Sequence, residues 1–264
     1  MARGKNRQQL VNSDGNIKHP STTSWDFIYE TSTVRNPQYN IGDKVVLPDD
    51  RVFRYGFSLD ALVTTMGCRF TDTGLISYTS ATTTQSVGDR QVTVPAATHA
   101  ALSKDELRGG YIIIFKGGVQ QFRGIAGNNA SDEDAAVVIY LDGKLDSTVT
   151  TSSAFEVYRN PWSYLSQDST SADGQAYAGV PAVAVSAASM YFWCQTHGPI
   201  FINPQSSVSA ANASTMVCWR HDGSIDGIET AYATTIATYD TSQIAGSRIA
   251  GSASGNGPII DLRH

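Results

Sequence analysis

Tyr191-Phe192-Trp193-Cys194-Gln195-Thr196-His197-Gly198-Pro199 is the stretch on which the fold turns. It is rich in aromatic residues and carries no Lys, Arg, Asp or Glu. Such residues suit a pleated, half-buried surface, so the run reads as a β-strand with Cys194 at a core-like position. A second decisive stretch is Leu47-Pro48-Asp49-Asp50-Arg51-Val52-Phe53-Arg54-Tyr55. Lys44 to Leu47 and Arg51 to Tyr55 read as the arms of a hairpin, with Phe53 and Tyr55 on one face. Pro48-Asp49-Asp50 supplies the turn, because proline presets φ and aspartate side chains bond the local backbone.

Strand signals continue outward from these two. Tyr111-Ile112-Ile113-Ile114-Phe115 is continuously apolar and lies between glycine pairs, which predicts a strand buried on both faces. Ala135 to Leu141 reads similarly, and Gln91 to Val94 is a shorter strand. Phe155, Val157, Val217 and the segment Thr234 to Tyr239 fall in further strand-like runs. Ser58 to Gly67 has a helical spacing of Leu59, Leu62, Val63 and Met66, and Ser103-Lys104-Asp105-Glu106 is a capping-box pattern for one helical turn. The expected fold is mainly β, a β-barrel or β-sandwich with short helices and extended N- and C-terminal arms. The expected division is an N-terminal arm over 1–40, a core over 41–242 and a Gly/Ser-rich C-terminal arm over 243–264. Trp25, Phe27 and Tyr29 alternate at strand spacing in the first arm, and Ile259 and Ile260 lie near the end of the second.

Charge narrows the function classes. The 264 residues hold 19 basic and 24 acidic side chains, a net charge of -5, and Arg3, Lys5 and Arg7 form a basic tip on an acidic body. That balance argues against phosphate binding as the main activity, so no specific nucleic acid is expected as a partner. Between Arg159 and Arg220 there is no Lys or Arg, and Asp168 and Asp173 are the only acids before Cys218. Buried strands with neutral loops account for such a stretch, and so does a surface covered by another subunit, since interface cores are depleted in charge. No apolar run is long enough to span a bilayer and no secretory signal is present, so the expectation is a soluble protein made in a cytoplasm, with no membrane partner. Three cysteines are an odd number, and reduced thiols are expected.

Motifs of catalysis are missing. Gly251-Ser252-Ala253-Ser254-Gly255 puts alanine where a nucleophile elbow needs serine, and there is no Walker lysine, dinucleotide fingerprint or His-Glu-x-x-His. The acidic groups Asp132-Glu133-Asp134 and Asp222, Asp226, Glu229 do not match a calcium loop. We therefore expect no catalytic residues and no cofactor. Cys194-Gln195-Thr196-His197 and Cys218-Trp219-Arg220-His221 are two Cys-x-x-His pairs with soft ligands suited to zinc. Residues three apart on a strand point to opposite faces, however, so each pair would need a bend, and no metal site is assigned.

The two opening stretches together resemble a family of head decoration, or cement, proteins of tailed bacteriophages. Those carry a "DGRVFRY"-like strand near the N-terminus and a "YFWVQTWGP"-like strand in the last third. Further similar pieces follow in order: the segment to Gly67, Gly109-Gly110-Tyr111, Asn160-Pro161-Trp162, Ala178-Gly179-Val180-Pro181 and Asp261-Leu262-Arg263. Cys194 and His197 depart from the family pattern, which has Val and Trp there. The resemblance implies a non-enzymatic virion protein on the capsid surface, assembled in the host cytoplasm. Its partners would be the major capsid protein and neighbouring copies of itself. The expected contacts are Trp25, Phe27, Tyr29, Ile259 and Ile260. The alternative expectation is a tail- or fibre-associated β domain for host carbohydrate attachment, in which aromatic side chains would stack on sugars.

Overall fold

The computed structural model describes residues 9–11, 17–18, 25–71, 74–167, 176–204, 208, 215–228, 239–251 and 257–263. Contacts gather the chain into two compact units. One comprises Met1–Thr71 and Trp162–His264, and the other, Asp72–Pro161, is inserted into it. The contacts therefore part near residues 71 and 161.

The first unit opens with β1 (Gln9–Val11), β2 (Ile17–Lys18), a 3-10 turn (Asp26–Tyr29), β3 (Lys44–Val46), β4 (Val52–Phe57) and β5 (Cys68–Phe70). The insertion holds β6 (Gly74–Ser80), β7 (Gln91–Val94), β8 (Tyr111–Lys116), β9 (Val119–Asn128), β10 (Val137–Leu141) and β11 (Ala154–Tyr158). A 3-10 turn at Pro161–Ser163 marks the return. It leads to β12 (Leu165–Ser166), β13 (Tyr177–Pro181), β14 (Tyr191–Phe201), β15 (Met216–Arg220), β16 (Ile225–Gly227), β17 (Tyr239–Ala250) and β18 (Ile259–Arg263). Strand makes up 48% and helix 4%, so the chain is mainly β, and its two curled antiparallel sheets form half-barrels. The larger sheet runs β16-β15-β17-β18-β14-β4-β3-β1-β2, with β5, β12 and β13 attached off that path; the smaller runs β6-β11-β8-β9-β10-β7.

The two decisive sequence stretches are neighbours. β14 pairs with β4 so that Tyr191 faces Phe57, Trp193 faces Tyr55 and Gln195 faces Phe53. The predicted hairpin also forms: Val45 faces Phe53, Leu47 N–H donates to Arg51 O at 2.8 Å, and Asp49 accepts from Arg51 N–H. β14 is buried on both sides. Trp193 joins Phe53, Tyr55, Ile28, Tyr39, Val45 and Leu47 in one cluster, while Phe192 and Cys194 join Leu62, Cys68, Leu165, Ala178 and Val185 in another. Each fully buried large side chain contributes on the order of 2–3 kcal/mol of transfer free energy. Past Gln195 the register with β4 shifts. The buried Gln195 amide stitches this irregularity by donating to the carbonyls of His197 and Pro199 at 3.2 and 3.0 Å.

In the insertion, Ile112, Ile114, Ile125, Val137, Ile139, Phe155 and Val157 point inward and form a core of their own. β8 and β9 are joined by Gly117-Gly118, whose φ values of 48° and 92° suit the two-residue hairpin turn that glycine permits. Two inward polar side chains of β9 tie loops to the sheet. Gln121 accepts from Asp146 N–H at 2.7 Å, and Asn128 accepts from Leu107 N–H at 2.9 Å while donating to Ser103 O.

Several local expectations are corrected. Ser58 to Gly67 is not a helix. Ser58 N–H donates to Met190 O, its hydroxyl accepts from Met190 N–H, and Leu62 exchanges backbone bonds with Val185. A helix would forgo all of these, so pairing outweighs the local preference. Only Leu62 of the apolar stripe is buried; Leu59 and Val63 are exposed. At Ser103 to Glu106 the carboxylate does accept from Ser103 N–H at 2.9 Å, but within a turn. Tyr111 to Phe115 and Val137 to Leu141 are strands as expected, yet each is buried on one face only. Positions 234–238 of the last expected strand-like run lie outside the described residues, as does the basic tip with Arg3, Lys5 and Arg7.

Candidate interaction surfaces

Trp25, Phe27 and Tyr29 do not form a strand. Residues 26–29 make a 3-10 turn whose fully buried member is Ile28, the residue that the alternation would turn away. Trp25 and Phe27 are partly buried against the β4–β14 core, where Phe27 meets the Trp193 ring edge-on at 5.7 Å. Tyr29 remains exposed, its hydroxyl accepting from Arg51 at 3.2 Å.

Ile259 and Ile260 belong to β18, which is flanked on one side by β14 and on the other by β17. Its backbone edges are thus taken within the chain. Ile260 is fully buried in the core of the larger sheet and is not available at a surface; Ile259 faces out beside Phe201. Ile249 and Met216 are also exposed on the adjoining strands β17 and β15. The two expected contact groups sit at opposite ends of β14. Tyr191 lies near the first and Phe201 near the second, about 30 Å apart at strand rise.

The inserted sheet presents a face that sequence reasoning missed. Across β11, β8 and β9 the register sets Tyr158, Tyr111 and Gly124 in one row, Glu156, Ile113 and Phe122 in the next, and Ala154, Phe115 and Gln120 in a third. Tyr111 and Phe122 stack with centroids 5.1 Å apart and planes 21° apart, and Tyr78 lies 5.3 Å from Phe115. Tyr78 is 63% exposed, Phe122 59% and Tyr111 39%. Glu156, accepting from Tyr158 at 2.9 Å, is the one acid in these rows. Scattered apolar residues on a surface mean little, but aromatic side chains in contact across the strands of one sheet make a patch. The signal available in the sequence was the partner strand: Gln120-Gln121-Phe122-Arg123 is too polar to sit beside a strand buried on both faces.

The two Cys-x-x-His pairs do not assemble. Among the described residues no three of His, Cys, Asp and Glu come together as metal ligands would. Cys194 points into the core against Cys68, His197 is exposed, and Cys218 donates to the Asp226 carbonyl at 3.6 Å. Burial, and then the nearby Asp226, pushes the Cys218 thiol up to about 11, which opposes the thiolate that zinc requires. Around Asp132, an open depression of about 380 Å3 is lined by Ala101, Leu102, Ser103, Ala130 and Ser131. Its polar groups are two serines and one carboxylate, without a nucleophile–base pair.

No helix among the described residues is long and apolar enough to cross a membrane. No family model matches the chain, and no curated protein or solved structure matches it either.

Proposed function

We propose that this chain is a structural virion protein that decorates and braces a phage capsid by binding the shell of major capsid protein. The observation that carries the reading is the outward aromatic face of the inserted sheet, built from Tyr78, Tyr111, Ile113, Phe115 and Phe122. Exposed rings in contact are costly to leave in water and suit burial against another protein, where aromatic side chains dominate binding. The motif resemblance points the same way. Many copies, each making several such contacts, would turn modest affinities into a firm coat by effective concentration. Tyr29 and Ile259 remain as secondary contacts on the first unit; Ile260, being buried, is not among them.

The same exposed rings favour one second reading, attachment to host carbohydrate, since flat aromatic faces also stack on sugars. The deciding experiment adds purified protein to undecorated heads and counts bound copies. The expected result is saturable binding to the icosahedral shell, weakened about 30-fold or more by Tyr78→Ser with Phe122→Ser, the scale of an interface hot spot. Full occupancy by the double variant would overturn the assignment of the face. Binding to glycans or detached tails, and not to heads, would overturn the cement role.

A further inference from the structure

We infer that Cys68 and Cys194 are a cross-linking site: a low-molecular-weight disulfide converts them to a bridge that ties β5 to β14. The two sulfurs lie 3.5 Å apart in the core, and both residues are fully buried. A disulfide bond is about 2.05 Å long and holds its Cα atoms within about 7 Å, so closure over β13 needs the sulfurs to approach by roughly 1.5 Å and the backbones of β5 and β14 to draw together.

The local topology explains why the sulfurs meet. β13 pairs with both strands, setting Gly179 opposite Cys68 and Pro181 opposite Cys194. Gly179 has a φ of 148°, and a Cβ built on it would stand 2.9 Å from the Cys194 sulfur and 2.2 Å from the Gln195 carbonyl oxygen. Without that carbon the two thiols reach each other over β13. Cys68 also donates to the Gly179 carbonyl at 3.5 Å. Burial, and then Cys68 itself, holds the Cys194 thiol well above its ordinary range, which keeps it protonated and slow to react while the core is closed.

The chemistry balances with the named oxidant. One cysteine thiolate attacks the small disulfide RSSR, expelling one RS⁻ and leaving a mixed disulfide. The second cysteine thiolate attacks that protein sulfur and expels the other RS⁻. Two protons from the cysteines leave as two RSH, and two electrons pass from the protein to the reagent. The ring so closed spans a sequence separation of 126 residues and contains the whole inserted unit. A loop of that length strongly restricts the unfolded chain.

The test refolds the full chain in oxidised glutathione, alkylates the remaining thiols and maps peptides without reduction. The expected product is a Cys68–Cys194 peptide with Cys218 the one alkylated cysteine. The expected melting midpoint rises by about 10 °C and returns on reduction. Cys218→Ala should retain the bridge and the rise. Cys194→Ala should lose both, and melting of that variant with and without oxidant separates lost packing from lost bridging. Three alkylated thiols after oxidative refolding, a bridge through Cys218, or a bridged chain with an unchanged midpoint would each overturn the inference. None of these outcomes depends on capsid binding.

Discussion

The aromatic residues of the two units are deployed in opposite senses. In the first, Phe27, Tyr39, Tyr55, Trp193 and Tyr191 form an unbroken run of ring contacts with centroids 5.1–6.1 Å apart, to which the 3-10 turn at Asp26–Tyr29 contributes Phe27. In the second, Tyr111, Phe122, Tyr78 and Phe115 touch in pairs but face out, while Ile, Leu and Val, joined by the single ring of Phe155, carry the core. The first arrangement uses its aromatic surface to hold its own fold. The second leaves it to be covered, and its stability comes from a different set of residues. Stability and binding should therefore separate cleanly between the two regions.

The largest test of that separation is Trp193→Ala. The indole is 1% exposed and touches Phe27, Tyr39 and Tyr55. Its removal should cost about 3–5 kcal/mol, read as a fall in the denaturant midpoint at constant slope. A loss under about 1 kcal/mol would mean that the inward cluster does not organise the first unit.

A smaller test uses pH. Burial is the main cause that pushes the Tyr55 hydroxyl up to about 12 from 10.0, partly offset by the Asn36 N–H that donates to it. The folded state then holds a proton that the unfolded state loses first. This contribution is fully present below pH 10 and is lost as pH rises toward 12. After solvent screening is discounted, it amounts to on the order of 1 kcal/mol over that interval. Tyr55→Phe should flatten the fall in stability between pH 10 and 12 relative to the parent chain, measured by urea unfolding at each pH. Parallel pH curves for the two proteins would show that the hydroxyl is not sealed in the cluster.

These contrasts mark what was legible in the sequence. The β class and the hairpin at Pro48–Asp50 were, because turn chemistry and strand composition are local properties. Which strands lie side by side was not: β4 and β14 meet across a separation that no local pattern encodes. Nor was the facing of Tyr111 to Phe115, since a continuous apolar run carries no period to separate a two-sided strand from a one-sided one. The Trp25, Phe27, Tyr29 alternation failed for the opposite reason. It had a clear period, but a short turn anchored by Ile28 satisfied the same residues. The C-terminal segment reads as an arm whose strand-like end pairs with something, because glycine and serine precede it; what it pairs with was not legible, and Ile260 and Leu262 fill core positions between β14 and β17 of the same chain.

The smallest expected effect is also the sharpest check on the outward face. If Tyr111 and Phe122 interact mainly with each other and with water, removing either should cost little. A stacked aromatic pair is worth about 0.5–1.5 kcal/mol. In a double-mutant cycle of Tyr111→Ala and Phe122→Ala, each single change should therefore lower stability by about 1 kcal/mol or less. The coupling between them should fall near 0.5–1 kcal/mol. The same substitutions should weaken shell binding far more than they weaken the fold, because a ring covered by a partner loses its burial only in the complex. Single-site losses comparable to that at Trp193 would place these rings in a structural core, and the opposition between the two units would fail.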